Sequence, residues 1–377
     1  MKKYYIITIG CQMNKSDSER IAGKLEELGY KRSDNKYQAD LVVINTCGVR
    51  QTAEDRIYGF IPEIKKKNFN VKIIVTGCLV YRKDVQKRLK KWVDAWIPIN
   101  QIFKFKFSIF NKFLNSDFQI NVKCTNDYLK IIPKYESKFS AFVPIGNGCN
   151  NFCSYCVVPY ARGREVYRPA EDILKEIKGL IKKKYKEIIL IAQNVNSYEV
   201  SRKSIKSKVK SQKPEEIIKF HDLLKMINDI KGDFQIQFLT SHPKDMSDKL
   251  IKTIAKSKKV CHYIHLPIQA GDNEILKKMN RKYTVEYYIN LIKKIRKAMP
   301  DSNITTDIIV GFPGETKKQF QNTVNICKKI NFNKAYISVY SPRPGTAAAK
   351  LKDSIPILEK KQRWKILNEL INKNEKK

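Results

Sequence analysis

The chain has little acid and almost no histidine: 37 Asp and Glu stand against 74 Lys and Arg, with 4 His in 377 residues, for a formal charge of +37. That excess is extreme for an enzyme of a small neutral substrate. It points to a polyanionic partner, although lysine spread over nearly every surface helix would give the same total by composition alone. No run of about 18 apolar residues occurs, which excludes a helical membrane span. The start, Met1-Lys2-Lys3 followed by Tyr4 to Gly10, has the charge order of a leader. Its apolar part is short and runs into Gln12-Met13-Asn14-Lys15, so it reads as a first strand, and Thr8-Ile9-Gly10-Cys11 fails as a lipoprotein site for the same reason. No fixed-period repeat is present, which excludes a solenoid. The expected compartment is the cytoplasm, where thiols stay reduced and the 9 cysteines serve metal binding or packing rather than a disulfide framework.

Hydrophobic residues at 42% and aromatics at 10% indicate a folded protein, long enough for two or three domains. Its most distinctive stretch is Ile145 to Cys156, where Cys149, Cys153 and Cys156 are spaced C-x3-C-x2-C just after an apolar run. Zinc usually takes four ligands and no histidine lies in this segment. Three thiolates on one Gly- and Asn-rich loop suit three irons of a 4Fe-4S cube, leaving the fourth iron open to substrate.

Around this loop the chain alternates strand and helix. Residues 3–9 read as a buried strand, Ser16-Asp17-Ser18-Glu19 as a capping box, Ile21, Leu25 and Leu28 as one helical face, and Gly29 as its end. The runs at Leu41–Ile44 and Val71–Val75, with helices from about Thr52 and near Asp84, continue the pattern and predict a parallel sheet. A cysteine follows each of these three strands: Cys11, Cys47 and Cys78. Carboxyl ends of parallel strands share one edge, so the three thiols converge as a second candidate iron-sulfur site; buried packing cysteines are the alternative.

Regularity lapses over 98–134, where Cys124 stands alone and 118–134 reads as a linker. Helices near 170–183, 217–230, 246–257, 272–298 and 316–330 then alternate with apolar runs at 187–192, 234–239, 260–266, 303–310 and 334–340. With the strand at 142–145 these make a partial (β/α)6 barrel of the TIM type, its chemistry at the carboxyl ends of the strands. The expected organisation is a parallel-sheet, flavodoxin-like domain over 1–117, the linker over 118–134, the barrel over 135–365 and a helical tail over 366–377, the last amphipathic helix starting at Glu359. The basic stretch 199–216 reads as a mobile loop, either a phosphate contact or a solvated insertion.

The cysteine loop, with Tyr155 before its last thiol, resembles the radical S-adenosylmethionine enzymes, and Cys11, Cys47 and Cys78 match their methylthiotransferase branch. Gly10-Cys11-Gln12-Met13-Asn14, Asn45 to Arg50, Gln193 to Tyr198 and Tyr340 to Thr346 look like the MiaB type, the tRNA-2-methylthio-adenosine synthases. The resemblance runs from about residue 3 to about 370. It implies that Cys149, Cys153 and Cys156 hold the radical cluster with S-adenosylmethionine on its open iron. It implies that Cys11, Cys47 and Cys78 hold an auxiliary 4Fe-4S cluster that carries the sulfur. The substrate it implies is carbon 2 of isopentenyl (dimethylallyl) adenosine at position 37, in a tRNA anticodon stem-loop, with a flavodoxin- or ferredoxin-type electron donor and a monomeric enzyme.

Further residues follow from position. Tyr155, Gln193, Asp307 and Gly311 are candidates for cofactor contact; Gln269 ends its strand like Gln193. Arg162, Arg164 and Arg168 suit RNA phosphate or a cofactor carboxylate. His242 is read as polar lining, and His221, His262 and His265 as structural; Cys261 and Cys327 are read as packing. The family normally continues into a β-barrel RNA-binding module called TRAM, while the sequence stops at Lys377; the expectations are a truncated sequence, tRNA binding in which the excess lysine partly replaces that module, or a module supplied by another chain. Two other readings stand beside this one. Sister enzymes act on threonylcarbamoyladenosine or on a ribosomal-protein aspartate; they typically show Gly-Cys-Lys-Val-Asn or Gly-Cys-Pro-Lys-Asn at the first cysteine, unlike Gln12-Met13 here. An RNA-binding protein with purely structural clusters is the non-enzyme reading.

Overall fold

The computed structural model describes residues 1–49, 51–104, 127–201 and 217–373, and divides the chain into two compact units: 1–150 with 156–166, and 151–155 with 167–377. Cys124, the stretch 202–216 and the last four residues lie outside the described residues.

The first unit is a parallel sheet of β1 (Lys3–Ile9), β2 (Lys31–Arg32), β3 (Leu41–Thr46), β4 (Lys72–Gly77) and β5 (Ala95–Trp96), in the order β2-β1-β3-β4-β5. This is the flavodoxin-like order, the strand order reversing between β1 and β3. The apolar runs explain why it is covered on both faces. Val42, Ile44, Ile73 and Val75 pack on Ile57, Ile61 and Ile64 of α2 (Gln51–Lys67) and on Val85 and Leu89 of α3 (Lys83–Leu89). The alternate residues Leu41, Val43 and Ile74 pack on Ile21 and Leu25 of α1 (Gln12–Glu27). A strand buried on both faces needs apolar residues at both parities, which is why β3 shows no alternation.

Two expectations change here. Helix α1 begins at Gln12, not after Ser16: Cys11 is the N-cap, and the Asn14 carboxamide accepts the Cys11 amide at 3.2 Å. Ser16 to Glu19 are buried inside the helix. Of the expected linker 118–134, the described part is not one. Asp127–Lys130 form a 3-10 turn whose Tyr128 and Leu129 lie in the first unit's core, and the Lys134 amide bonds the Glu19 carbonyl at 2.8 Å. The strand β6 (Ser140–Pro144), two-residue strands β7 (Gly146–Asn147) and β8 (Val166–Tyr167), and α4 (Val158–Arg162) follow; β6, β7 and α4 are grouped with this unit.

The second unit continues with α5 (Ala170–Lys182), β9 (Glu187–Ile191), the antiparallel pair β10 (Glu199–Ser201) and β11 (Ile217–Lys219), α6 (Phe220–Asn228), β12 (Gln235–Phe238), α7 (Asp248–Lys256), β13 (Tyr263–His265), α8 (Asn273–Lys278), α9 (Val285–Ala298), β14 (Asn303–Val310), α10 (Lys317–Ile330), β15 (Lys334–Val339) and α11 (Ile357–Asn372). β9 pairs in parallel with β12, Ile236 of β12 bridges Val260, and β13, β14 and β15 pair in parallel, so neighbours follow chain order as in a barrel wall. Residues 272–298 are two helices rather than one. Asn280, at φ 56°, ends the first, and Thr284 caps the second by accepting the Tyr287 amide. The last helix starts at Ile357, two residues before the expected Glu359, and packs on β15.

Candidate functional site

Parallel pairing aligns the ends of β1, β3 and β4: Ile9 lies opposite Thr46, and Thr46 opposite Gly77. The ladder runs on through the cysteines, with the Cys47 amide on the Ile9 carbonyl at 2.8 Å and the Cys78 amide on the Thr46 carbonyl at 2.9 Å. Cys11, Cys47 and Cys78 thus leave one sheet edge on three adjacent strands. Gly48 shows how close they come, since a Cβ there would meet the Cys78 side chain at 3.2 Å. Gly77 is required at φ 91°, because a Cβ would meet the Thr46 carbonyl oxygen at 2.3 Å. Cys47 and Cys78 are buried and Cys11 is exposed. The Val49 amide donates to Cys47 Sγ at 3.3 Å, and Cys11 Sγ lies 3.3 Å from the Asn14 carboxamide oxygen.

The third sulfur has a cation beside it. Arg162 is buried; its Nε donates to Cys78 Sγ at 3.4 Å, its Nη1 to Asn147 at 3.1 Å and its Nη2 to Asp17 at 2.6 Å. Burial opposes its charge, but Asp17 first, and then Cys78, Tyr128 and Cys11, hold its pKa well above the ordinary value. The RNA expectation is therefore corrected for Arg162, and likewise for Arg168, which is buried and paired with Glu176 at 2.7 Å. Only Arg164 of the three is exposed.

The second triad sits on the loop 149–156, which the division between units cuts: Cys149 and Cys156 are grouped with the first, Cys153 with the second. In the first unit the Cys149 amide bonds the Gly163 carbonyl at 3.0 Å. In the second, the segment around Cys153 is clamped by the break between α8 and α9. Asn280 Nδ2 donates to the carbonyls of Asn151 and Phe152 at 3.3 and 2.8 Å, the Ser154 amide bonds the Met279 carbonyl at 3.1 Å, and Ser154 Oγ donates to the Lys278 carbonyl at 2.8 Å. Phe152 is held at φ 48°, a conformation that costs of order 1–3 kcal/mol and persists where the surroundings enforce it. Arg281 Nη1 donates to Cys153 Sγ at 3.3 Å. Burial opposes its charge, and Tyr155, Tyr283 and Cys153 outweigh it, so its pKa is raised. Tyr155 thus lies in the electrostatic surroundings of Arg281.

The cofactor candidates at the strand ends fare unequally. The Gly311 amide, after β14, is taken by the Glu315 carboxylate at 2.7 Å, and Glu315 is paired with Arg363 at 2.6 Å. Gly311 therefore serves that buried turn and offers no free amide to a ligand. Asp307 keeps a partly exposed carboxylate 3.3 Å from His265 Nε2, whose Nδ1 lies 2.9 Å from Thr305 Oγ1. Gln193 is half-buried in the segment after β9 that Asn194 ties to Asp245 at 2.8 Å and Asn196 ties to the His242 backbone. Gln269 is buried at φ 70°, with its amide on the Asp307 carbonyl. His242 is buried against Tyr283, and burial, then Arg281 and Lys244, push its pKa down to about 2. Burial pushes the Cys327 thiol up to about 12, which suits packing.

Sequence reasoning missed Asp17, Asn280 and Arg281. Asp17 was absorbed into a capping box, and the other two into a helix assumed continuous; Asn280, a residue that tolerates the left-handed turn at a helix end, was the available signal. Among the described residues no three His, Cys, Asp or Glu converge on a single ion. A cluster does not ask for that, since each thiolate binds its own iron. Cationic or N–H donors lie against Cys47, Cys78 and Cys153, the complement a metal-bound thiolate needs, so the donor set fits iron-sulfur ligation.

A model described as the Radical SAM superfamily matches residues 143–327, and one described as Uncharacterized protein family UPF0004 matches residues 3–97. The chain is 45% identical over 378 residues to the tRNA-2-methylthio-N(6)-dimethylallyladenosine synthase of Thermoanaerobacter pseudethanolicus, covering 98% of this chain and 78% of that protein. It is 45% identical over 379 residues to the synthase of the same name from Clostridium novyi, covering 98% and 81%. Among solved structures, the radical S-adenosylmethionine methyltransferase TsrM from Kitasatospora setae superposes with a TM-score of 0.64 at 13% identity, over 93% of this chain and 75% of that one. The cobalamin-dependent S-adenosylmethionine radical enzyme OxsB superposes at 0.58 with 10% identity, over 98% and 56%. At such identities the structural likeness is one of fold. The extent of identity to the two synthases shows that this chain belongs to the tRNA-2-methylthio-N(6)-dimethylallyladenosine synthase family of radical S-adenosylmethionine proteins.

Proposed function

We propose that the chain methylthiolates carbon 2 of the dimethylallyl adenosine at position 37 of tRNA, next to the anticodon. The observation that carries this reading is the pair of cysteine triads, one leaving the edge of a parallel sheet and one on a clamped loop, each with a buried guanidinium against one of its sulfurs. Bound 4Fe-4S clusters and S-adenosylmethionine supply the single-electron chemistry and the methylthio group that substitution at an aromatic carbon requires. Cys149, Cys153 and Cys156 would hold one cluster and Cys11, Cys47 and Cys78 the other. The chain's own part is to orient and to insulate. Asn280 and Ser154 fix the backbone around Cys153, while Gly48 and Gly77 let the Cys47 and Cys78 loops approach. Arg164 and the lysine-rich surface would meet RNA phosphate, and a flavodoxin- or ferredoxin-type protein would deliver the electrons.

The test is nucleoside mass spectrometry of tRNA from a methylthiolation-deficient host expressing this chain. The expected result is conversion of the dimethylallyl adenosine to its 2-methylthio form. Modification of threonylcarbamoyladenosine instead, or no modification by protein loaded with about eight irons per chain, would refute the assignment.

A further inference from the structure

Arg281 is 8% exposed and makes three hydrogen bonds: Nε to the Tyr283 hydroxyl at 2.9 Å, Nη2 to the Pro267 carbonyl at 3.2 Å and Nη1 to Cys153 Sγ at 3.3 Å. None of these partners is a carboxylate. Three other buried guanidiniums do have a carboxylate: Arg162 has Asp17, Arg168 has Glu176 and Arg363 has Glu315. A guanidinium does not give up its proton in a protein, and a buried charge without a counter-charge is strongly unfavourable. The nearby Tyr155 and Tyr283 bear phenols, much weaker acids than a carboxylate. The ring of His242, stacked edge-on to Tyr283 at 5.6 Å, is neutral, and Tyr283 spends its own proton on the carbonyls of Pro267 and Ile268. Of the three groups within hydrogen-bond distance of Arg281, the sulfur of Cys153 is the one that carries negative charge when it ligates iron.

We infer that Arg281 is the dedicated counter-charge of the Cys153 thiolate, a positioning residue that tunes the reduction potential of the cluster on Cys149, Cys153 and Cys156. This rests on the reading that those three cysteines hold a 4Fe-4S cluster. Reduction adds negative charge to a cluster, so a fixed cation donating to one of its sulfurs favours the reduced form and raises the potential. The residue reaches the sulfur because the chain breaks between α8 and α9. The turn at Asn280 that ties the Cys153 segment down also turns Arg281 inward, joining the loop's geometry to its electrostatics through two consecutive residues.

The experiment isolates this cluster in the full chain carrying Cys11→Ala, Cys47→Ala and Cys78→Ala, then compares Arg281, Arg281→Lys and Arg281→Met. Reconstituted iron is counted and the midpoint is followed by electron paramagnetic resonance in a redox titration. With about four irons per chain retained, Arg281→Met should lower the reduced fraction at fixed potential by tenfold or more, a shift of about 59 mV for a one-electron couple, and Arg281→Lys should shift it less. Iron lost from Arg281→Met but kept by Arg281→Lys supports the same conclusion, because the charge is what the two variants do not share. Equal midpoints at equal iron, or iron lost from both variants alike, would overturn the inference while leaving the cluster assignment intact. A chain with Arg281 in place that takes no iron would overturn the cluster assignment beneath it, and the inference with it.

Discussion

Replacing Arg162 by Met should destabilise the first unit by several kcal/mol. Its side chain is 2% exposed and that of Asp17 is 1% exposed, with Nη2 to Oδ2 at 2.6 Å. Asp17 Oδ1 has no hydrogen-bond partner among the described residues, so the guanidinium is the main compensation for that carboxylate. Breaking a buried pair by removing one member costs about 3–5 kcal/mol, because the other charge stays buried and alone. Asp17→Asn should cost a similar amount for the converse reason. The double variant removes both charges and should lose about 2–3 kcal/mol less than the two single losses added together. Native-state hydrogen exchange of the β3 and β4 amides, in metal-free full-length chain, measures the opening free energy without interference from iron. A loss of 3–5 kcal/mol is a fall in protection of roughly two to three and a half powers of ten. Losses below about 1 kcal/mol that simply add in the double variant would show that Arg162 and Asp17 do not act as a unit, and the electrostatic account of the Cys78 surroundings would fail with them.

Other consequences are as direct. His242 has a folded pKa of about 2 against an ordinary 6.5, so the unfolded chain binds a proton there that the folded chain refuses. Stability from this group is fully present above about pH 6.5 and falls by about 1.4 kcal/mol per unit below it; denaturation at pH 7.5 and pH 5.5 should show a smaller drop for His242→Asn, and equal drops would refute the buried neutral imidazole. Gly77→Ala should cost at least about 1–3 kcal/mol from its left-handed backbone alone, with further loss from contact with the Thr46 carbonyl, and should deplete iron from the first triad. Iron analysis reading about eight irons in that variant would contradict the tight fit. Arg164→Ala should weaken tRNA binding evenly across sequences and reduce the slope of log affinity against log salt by about one, whereas an unchanged slope would remove Arg164 from the RNA-contacting surface.

What could be read without coordinates was what depends on local order. The apolar runs of β3 and β4 announced a doubly covered parallel sheet, because no other setting buries both faces of Leu41–Ile44. The cysteine after each of three strands announced a shared edge, and the eight residues from Cys149 to Cys156 announced a cluster, because spacing along the chain sets which thiols can meet. The family motifs lie in those same short segments, and the identity to the two synthases agrees with them.

What tertiary structure decided was the fate of charge. Arg162, Arg164 and Arg168 are indistinguishable as a basic run, yet one faces solvent and two are buried, because Asp17 and Glu176 reach them from α1 and α5. Gly311 looked like a ligand-binding turn until Glu315 occupied its amide. Arg281 falls within the single helix expected over 272–298, and in the folded chain the turn at Asn280 carries it to Cys153. The sequence by itself determines which thiols sit on one loop or one sheet edge; only the folded chain decides which cation lies against which sulfur, because that pairing is made by residues more than eighty positions apart and leaves no local pattern to read.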